Sequence, residues 1–341
     1  MSELVFITGA AGYIGHKTLY FALEEGYKAR CAIRKQEQAE KILARPSIAP
    51  FKDAIDFVVV TEMTKIGAFD DVLHGVTAII HLASPLAKET DDYERNIVRP
   101  AIDINTSILS SAAKTPSIRR VIITSSAVTL VPFQWNLAPD SRRVYTERDV
   151  NTNPVQPYTS VMDAYWASKS LARTTVLDFI SEQKPHFDVV SLLPSVVVGA
   201  DERATSTEEL LEGTRTLVMG PVLGVQSPFP MVGVPVDIVD VARAHVDAIK
   251  PSVPGNAEYV LSSDTPDGIE WDQALNLAKT YLPDDCGEGK ALPLGGSFPT
   301  TKWLLDVSTT EKAFRWKFTP YATTMRGLME QYVELANKAK A

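Results

Sequence analysis

Cysteine is nearly missing from this sequence: Cys31 and Cys286 are the only two in 341 residues. A disulfide framework is therefore not what holds the chain together, and a reducing compartment suits it. Histidine is sparse too, at five residues, and no histidine or cysteine cluster has metal-site spacing, so no metal is expected. No run approaches the roughly 20 apolar residues of a membrane span. Ahead of the first apolar stretch at Leu4 there is no basic region leading into a hydrophobic segment and cleavage site, which makes the cytoplasm the expected location. An excess of positive charge is also lacking. Lys and Arg number 34 against 42 for Asp and Glu, and the net charge of −8 gives no sequence-wide attraction for nucleic acid or an anionic membrane. Internal repeats and low-complexity segments are absent. What is left is a chain long enough for one large α/β domain, or a nucleotide-binding domain with a smaller appendage, acting on small molecules.

What is present starts with an order of elements. The apolar, β-rich run Leu4-Val5-Phe6-Ile7-Thr8 feeds into Gly9-Ala10-Ala11-Gly12-Tyr13-Ile14-Gly15 and then a helical pattern through Thr18, Phe21, Ala22 and Glu25. Strand, glycine turn, helix is the order of a dinucleotide site. Gly9 permits the tight turn, Gly12 lets the backbone approach a pyrophosphate at the helix N-terminus, and Gly15 lets the helix sit close on the strand. A second strand over 28–33 ends at Arg34, with Lys35 and then Lys41 following. NAD sites usually carry an acidic residue near that point, whereas a cation there suits the 2′-phosphate of NADP.

Strands over 56–61, 77–82, 120–124, 188–193 and 258–261 alternate with helical patterns over 68–73, 93–114, 160–181 and 238–249. The alternation predicts an α/β fold, a Rossmann-type doubly wound parallel sheet. A smaller C-terminal substrate-binding region is expected from 194–235 and 263–341, with 1–193 and 236–262 forming the nucleotide-binding domain. Within it, an amphipathic segment over 210–219 and a Gly/Pro-rich loop to 235 come first, then a linker over 283–299. His81, at a strand end, reads as a core residue.

The stretch Asp163-Ala164-Tyr165-Trp166-Ala167-Ser168-Lys169 places a phenol and an ammonium one helical turn apart on one face. A neighbouring cation stabilises the phenolate and moves a tyrosine pKa down from roughly 10, which makes Tyr165 a candidate proton donor. Ser126 lies just past the strand 120–124, at the sheet edge where open parallel sheets bind ligands.

With these residues in view the chain resembles an extended short-chain dehydrogenase/reductase over nearly its whole length. It is most similar to the group of dihydroflavonol reductase, cinnamoyl-CoA reductase and fungal NADPH-dependent aldehyde and ketone reductases. The pieces that match are Thr8 to Gly15, Arg34 with Lys41, His81-Leu82-Ala83-Ser84-Pro85, Thr124-Ser125-Ser126-Ala127, Tyr165 to Lys169, and Asp237-Ile238-Val239-Asp240-Val241-Ala242 with Ala244-His245. The resemblance implies a catalytic triad of Ser126, Tyr165 and Lys169. It implies an NADP(H) site in which Gly9, Ala11, Gly12, Tyr13, Ile14 and Gly15 form the pyrophosphate turn, Arg34 and Lys41 meet the adenosine phosphate, and Glu62 and Met63 lie by adenine. Leu82, Ala83, Ser84, Thr124, Pro194 and Val197 complete it, with Tyr165 and Lys169 at the nicotinamide end. Two positions depart from the group's usual pattern, Glu62 where Asp is more frequent and Val239 where Arg is.

The expected activity is NADPH-dependent reduction of an aldehyde or ketone to an alcohol by a monomer or homodimer. The expected substrate is a small, hydrophobic carbonyl compound, in a pocket drawn from Phe133, Trp135, Trp166, Val196, Leu223 and Phe229 beside Ser126. Two alternatives stand: a nucleotide-sugar epimerase or dehydratase on the same fold, and a non-catalytic NADP-binding regulatory protein.

Overall fold

Successive side chains of a strand point to opposite faces, and here both faces are buried. Val5, Ile7, Ile80, Ile122, Val190 and Leu192 enter one apolar layer, while Phe6, Ile79, Val121, Ile123 and Val189 enter another. Continuous rather than alternating apolar runs are what a parallel sheet covered on both sides requires. The computed structural model describes residues 3–85, 87–133, 142–152, 154 and 156–340. Its central sheet comprises β1 (Leu4–Thr8), β2 (Lys28–Ile33), β3 (Ile55–Val59), β4 (Ala78–His81), β5 (Arg120–Thr124), β6 (Asp188–Pro194) and β7 (Ala257–Leu261). All pairings are parallel, in the order β7-β6-β5-β4-β1-β2-β3.

Helices α1 (Tyr13–Glu24) and α5 (Ile238–Asp247) bring Leu19, Ala22, Val241 and Ala244 to the first layer. Helices α3 (Arg99–Ala113) and α4 (Val161–Gln183) bring Ile108, Leu109 and Val176 to the second. Helix α2 (Glu37–Leu43) follows β2. The winding direction reverses between β1 and β4, so a crevice opens at their carboxyl ends, the place where doubly wound sheets take ligands.

Several sequence expectations change in detail. The 93–114 pattern is a π-helical turn, Glu94–Val98, followed by α3. Pro100 has no N–H to give to the carbonyl four residues back, and Arg99 donates to Glu94 instead. The pattern over 68–73 is only a 3₁₀ turn, Asp70–Val72. The 210–219 segment is two short helices, Thr207–Leu210 and Thr214–Met219, divided where Gly213 adopts φ +64°.

Residues 283–299 are not a free linker. Leu292 and Phe298 are buried in a third apolar cluster with Trp271, Tyr321 and Met325, and Asp272 accepts hydrogen bonds from Ser297 Oγ (2.7 Å) and Phe298 N (2.8 Å). The final helix, α6 (Tyr321–Lys338), lays Met325, Leu328 and Met329 into that cluster. No described helix is long and apolar enough to cross a membrane.

Two histidines are locked inside this frame. His245 on α5 donates from Nδ1 to Val241 O (2.7 Å), which leaves Nε2 to accept from the Thr124 hydroxyl (2.7 Å). Burial holds the imidazole at about 4. His81, ending β4, is held at about 3 by burial and then by the Lys169 charge. Unfolded histidine titrates near 6.5, so on acidification the unfolded chain takes protons that the native state refuses. Stability is then complete above that value and falls as pH drops below it, until the native pKa values are reached. Each histidine should withdraw about 2 kcal/mol by pH 5. Urea midpoints at pH 7.5 and pH 5 should show this fall, and His245→Gln should make it smaller. Equal midpoints would mean that both imidazoles charge within the fold.

Candidate functional site

The glycine turn shows what the sequence spacing could only suggest. Gly9 sits at φ +76°, and a Cβ there would lie 3.0 Å from Ala83 N on the far wall of the crevice. A Cβ on Gly15 would lie 2.0 Å from Gly9 O, closer than any packed atom allows. Gly12 is the extended N-cap residue of α1, with no side chain capping the helix. The first-turn amides have no helical partners of their own and face the open turn. Tyr13 is fixed from outside by its hydroxyl, which donates to Gly199 O (2.7 Å), and Ile14 packs against the first apolar layer.

Thr8 ties the two walls of the crevice together. Its Oγ1 accepts from Leu82 N (3.1 Å) and Ala83 N (3.0 Å). Its own proton therefore goes to His81 Nδ1, 2.9 Å away, and the other imidazole nitrogen, Nε2, carries the ring proton.

Arg34 is exposed at the end of β2, its backbone N–H held by Gln38 Oε1 at 2.8 Å. Lys41 lies on the exposed face of α2 and lines a cleft of about 340 Å³ that reaches Ala11 in the glycine turn. The opposite wall comes from residues 201–212. There Arg203 Nη1 donates to Ala11 O (2.9 Å) while Asp201 holds the guanidinium through Nε (2.9 Å) and Nη2 (2.6 Å). Beyond β3, Glu62 pairs with Lys65 and Met63 packs on the second apolar layer.

Helix α4 begins where it does because Ser160 caps it and Asp163 ties back the residue before the cap. Ser160 Oγ accepts from Asp163 N (3.1 Å), and Asp163 Oδ2 accepts from Thr159 N (2.9 Å). The first turn after this cap carries Tyr165. Its phenol lies beside the Ser126 hydroxyl, which accepts from Val128 N (3.3 Å) where Ser126 opens the short turn Ala127–Leu130 at the end of β5. Lys169 Nζ lies 5.9 Å from the Tyr165 ring centre and donates to Ser84 Oγ (2.9 Å).

Electrostatics here departs from the sequence expectation. Burial pushes the Tyr165 phenol above its ordinary value and the neighbouring Ser126 hydroxyl only partly opposes this. Burial also brings Lys169 down to about 8. The protein's own groups thus keep the phenol protonated at neutral pH.

A small cavity of about 20 Å³, room for one water, lies under Lys169 between His81, Ser84, Thr124 and Asn105. Asn105 Nδ2 donates to Ala101 O (2.9 Å), while Asn105 Oδ1 and His81 Nε2 have no protein partner. An orphaned acceptor and an orphaned donor therefore face one space. Pro194 closes β6, and Val197 is buried in the strand Val196–Val198 with its carbonyl accepting from Thr214 Oγ1 (2.6 Å).

The residues expected to line a substrate pocket divide. Phe133 and Trp166 share an apolar cluster with Tyr165, Val232 and Trp303, and Trp166 Nε1 is committed to Val131 O (3.0 Å). Val196 and Leu223 belong instead to the cluster around Trp271 and Tyr321, because the chain after β6 folds back onto α6. Phe229 is 75% exposed, and Trp135 falls outside the described residues. Sequence reasoning missed Arg203, which carries no local signal, and Thr8, whose signal was a polar residue closing an apolar strand.

A switch-point glycine turn with a serine, a tyrosine and a lysine gathered at the sheet's carboxyl edge is the architecture of an extended short-chain dehydrogenase/reductase. Residues 5–257 match the NAD dependent epimerase/dehydratase family, and the chain belongs to it. The ketoreductase CTB6 of Cercospora nicotianae is 32% identical over 98% of this chain and 96% of its own length. Aldehyde reductase 2 of Sporidiobolus salmonicolor is 28% identical over 89% of this chain and 90% of its own. The crystal structure of Gre2 from Candida albicans in complex with NADPH shares the fold, with a TM-score of 0.82 at 21% identity, covering 98% of this chain and 99% of that one. A nicotinamide dinucleotide fits the residues present, since a Cβ at Gly9 or Gly15 would collide with the turn's own backbone or the facing wall while Gly12 leaves the helix end open.

Gly15→Ala should show how tight that turn is. The added methyl has only backbone to push against, so the variant should lose about 2–4 kcal/mol of stability in urea denaturation. A variant as stable as the parent would show that the helix can slide away from the turn.

Proposed function

We propose that the protein reduces the carbonyl group of an aldehyde or ketone to an alcohol with NADPH, Tyr165 serving as general acid. The observation that carries this reading is the Ser126 hydroxyl set beside the Tyr165 phenol, one helical turn from Lys169, at the carboxyl edge of the sheet. A phenol kept protonated by burial is in the form that a proton donor needs. Ser126 is placed to hold the carbonyl oxygen as negative charge develops on it. Lys169, a half-buried cation beside the phenol, stabilises the phenolate left after the proton is given up. The bound nicotinamide supplies the hydride.

The ketoreductase and aldehyde reductase names of the relatives support carbonyl reduction, and the NADPH in the Gre2 structure supports the cofactor. Arg34 and Lys41 would meet the 2′-phosphate, with the cleft beside Ala11 linking Lys41 to the pyrophosphate turn. The apolar cluster of Phe133, Trp166 and Val232 against Tyr165 favours a hydrophobic substrate. We assign substrate binding to 194–235 and 263–341. The epimerase or dehydratase reading suits the family's name, but the cations after β2 speak for NADP, and net NADPH oxidation by a ketone separates the two.

Tyr165→Phe should stay folded by circular dichroism, bind NADPH, and lose a factor of about 10² to 10⁴ in kcat for a ketone. Lys169→Ala should lower kcat and raise the KM for NADPH together, since it removes both a charge near the phenol and a group facing the cofactor. A folded Tyr165→Phe enzyme with near parental kcat would sink the mechanism.

Arg34→Ala should cut the preference for NADPH over NADH roughly ten- to a hundredfold, the worth of a charge-assisted bond to phosphate. Steady-state kinetics with both cofactors checks it, and an unchanged ratio would remove Arg34 from the site.

A further inference from the structure

Arg173 lies one turn beyond Lys169 on α4 and two beyond Tyr165, and its side chain is entirely buried. A guanidinium has five N–H groups, and here all five are used. Nε and Nη2 grip the two carboxylate oxygens of Glu258 on β7, at 2.9 and 2.7 Å. Nη2 also donates to Glu147 O (2.6 Å), and Nη1 donates to Asp149 O (2.8 Å) and Thr129 Oγ1 (3.0 Å). The last bond leads to the reacting groups. Thr129 Oγ1, accepting from Arg173, passes its own proton to Ser126 O (2.8 Å), and Thr129 N donates to the same carbonyl (3.1 Å). The contacts close a ring: Tyr165 to Ser126, Ser126 to Thr129, Thr129 to Arg173, and Arg173 back along α4 to Tyr165.

We propose that Arg173, acting through Thr129, is a positioning residue that fixes the Ser126 hydroxyl against the Tyr165 phenol. The inference rests on the reading of those two hydroxyls as the proton-transfer pair. Trp166 Nε1 joins α4 to the far end of the Ser126 turn at Val131 O (3.0 Å), whereas Arg173 acts within the turn, at the residue that holds the Ser126 carbonyl. A lysine could not replace the arginine, because an ammonium offers three donors from a point and cannot grip a carboxylate with a planar fork. Glu258 neutralises the buried charge at 14% exposure, so the guanidinium serves as a rigid brace.

Thr129 gives the sharper test, because it can be altered with the Arg173–Glu258 pair intact. Thr129→Val removes the relay hydroxyl at nearly constant volume, and Thr129→Ser retains it. With NADPH and one ketone, Thr129→Val should lose about tenfold in kcat, with the KM for NADPH within about threefold of the parent. Thr129→Ser should recover most of that loss, and Arg173→Lys should reproduce it in protein shown to be folded by circular dichroism. In a Ser126→Ala background, where nothing remains to be positioned, Thr129→Val should change kcat by less than about twofold. The proposal is overturned by parental kcat in Thr129→Val, by equal losses in the Val and Ser variants, or by the full tenfold loss persisting in the Ser126→Ala background. Failure of the underlying reading shows differently, as parental kcat in Tyr165→Phe.

Discussion

A parallel sheet buried on both faces leaves its polar groups only two exits, the strand ends, and the rest of this structure follows from that constraint. Ile7, Ile80 and Ile122 on one side and Phe6, Ile79 and Val121 on the other fill the middle of the sheet with apolar side chains, and charged strand residues such as Arg120 and Glu258 are held in ion pairs with Asp188 and Arg173. Function is therefore pushed to the carboxyl edge, where β1 ends in Thr8, β4 in His81 and β5 in Thr124. Each of these polar residues is bound into the frame: Thr8 to His81 and the amides of Leu82 and Ala83, Thr124 to His245. The edge is rigid because its hydroxyls are spent on structure, which leaves Ser126, Tyr165 and Lys169 to face the crevice.

Burial also sorts the charges. The chain carries a net charge of −8, yet the end of β2 and helix α2 present Arg34 and Lys41 to solvent, while Lys169 is half-buried and Arg173 fully buried. The two inner cations differ in kind. Arg173 has a carboxylate partner and a full set of acceptors, so its charge is compensated. Lys169 has one serine hydroxyl, and desolvation brings it down to about 8. Only the second of these can respond to what occupies the crevice, and it is the one beside the phenol.

How far the sequence went depended on the range of the interaction. The glycine turn, the phenol–ammonium spacing of α4, and the alternation of strands and helices were legible because each is set by residues within a few positions of one another. The placement of the tail was not. Residues 283–299 looked like a linker since their composition is polar and Gly/Pro-rich, but Phe298 and Leu292 are claimed by a cluster assembled from segments as far apart in the chain as Val198 and Val333. Arg203 at Ala11 spans 192 residues and Arg173 at Glu258 spans 85, and neither leaves a mark in local periodicity. The departure at Val239 is explained by the same logic. That side chain is 40% exposed on α5, and the neighbouring acids do the anchoring.

Those acids show how the two halves of the protein are held in one geometry. Asp237 caps α5 by accepting from Val239 N (2.7 Å) and takes the Thr324 hydroxyl from α6 (2.6 Å). Asp240 Oδ1, one turn on, accepts from Thr319 Oγ1 (3.2 Å), just before α6. On the other side Tyr13 reaches Gly199 and Arg203 reaches Ala11, both from the glycine turn to the segment that follows β6. The late segments are thus attached directly to the helix and the turn that a dinucleotide would touch, as well as to the sheet, where Thr310 Oγ1 donates to Val260 O (2.7 Å). A shift of α1 at the turn would be felt at Gly199 and Arg203 through hydrogen bonds alone, which gives the cofactor side a short mechanical path to the side where a substrate would sit.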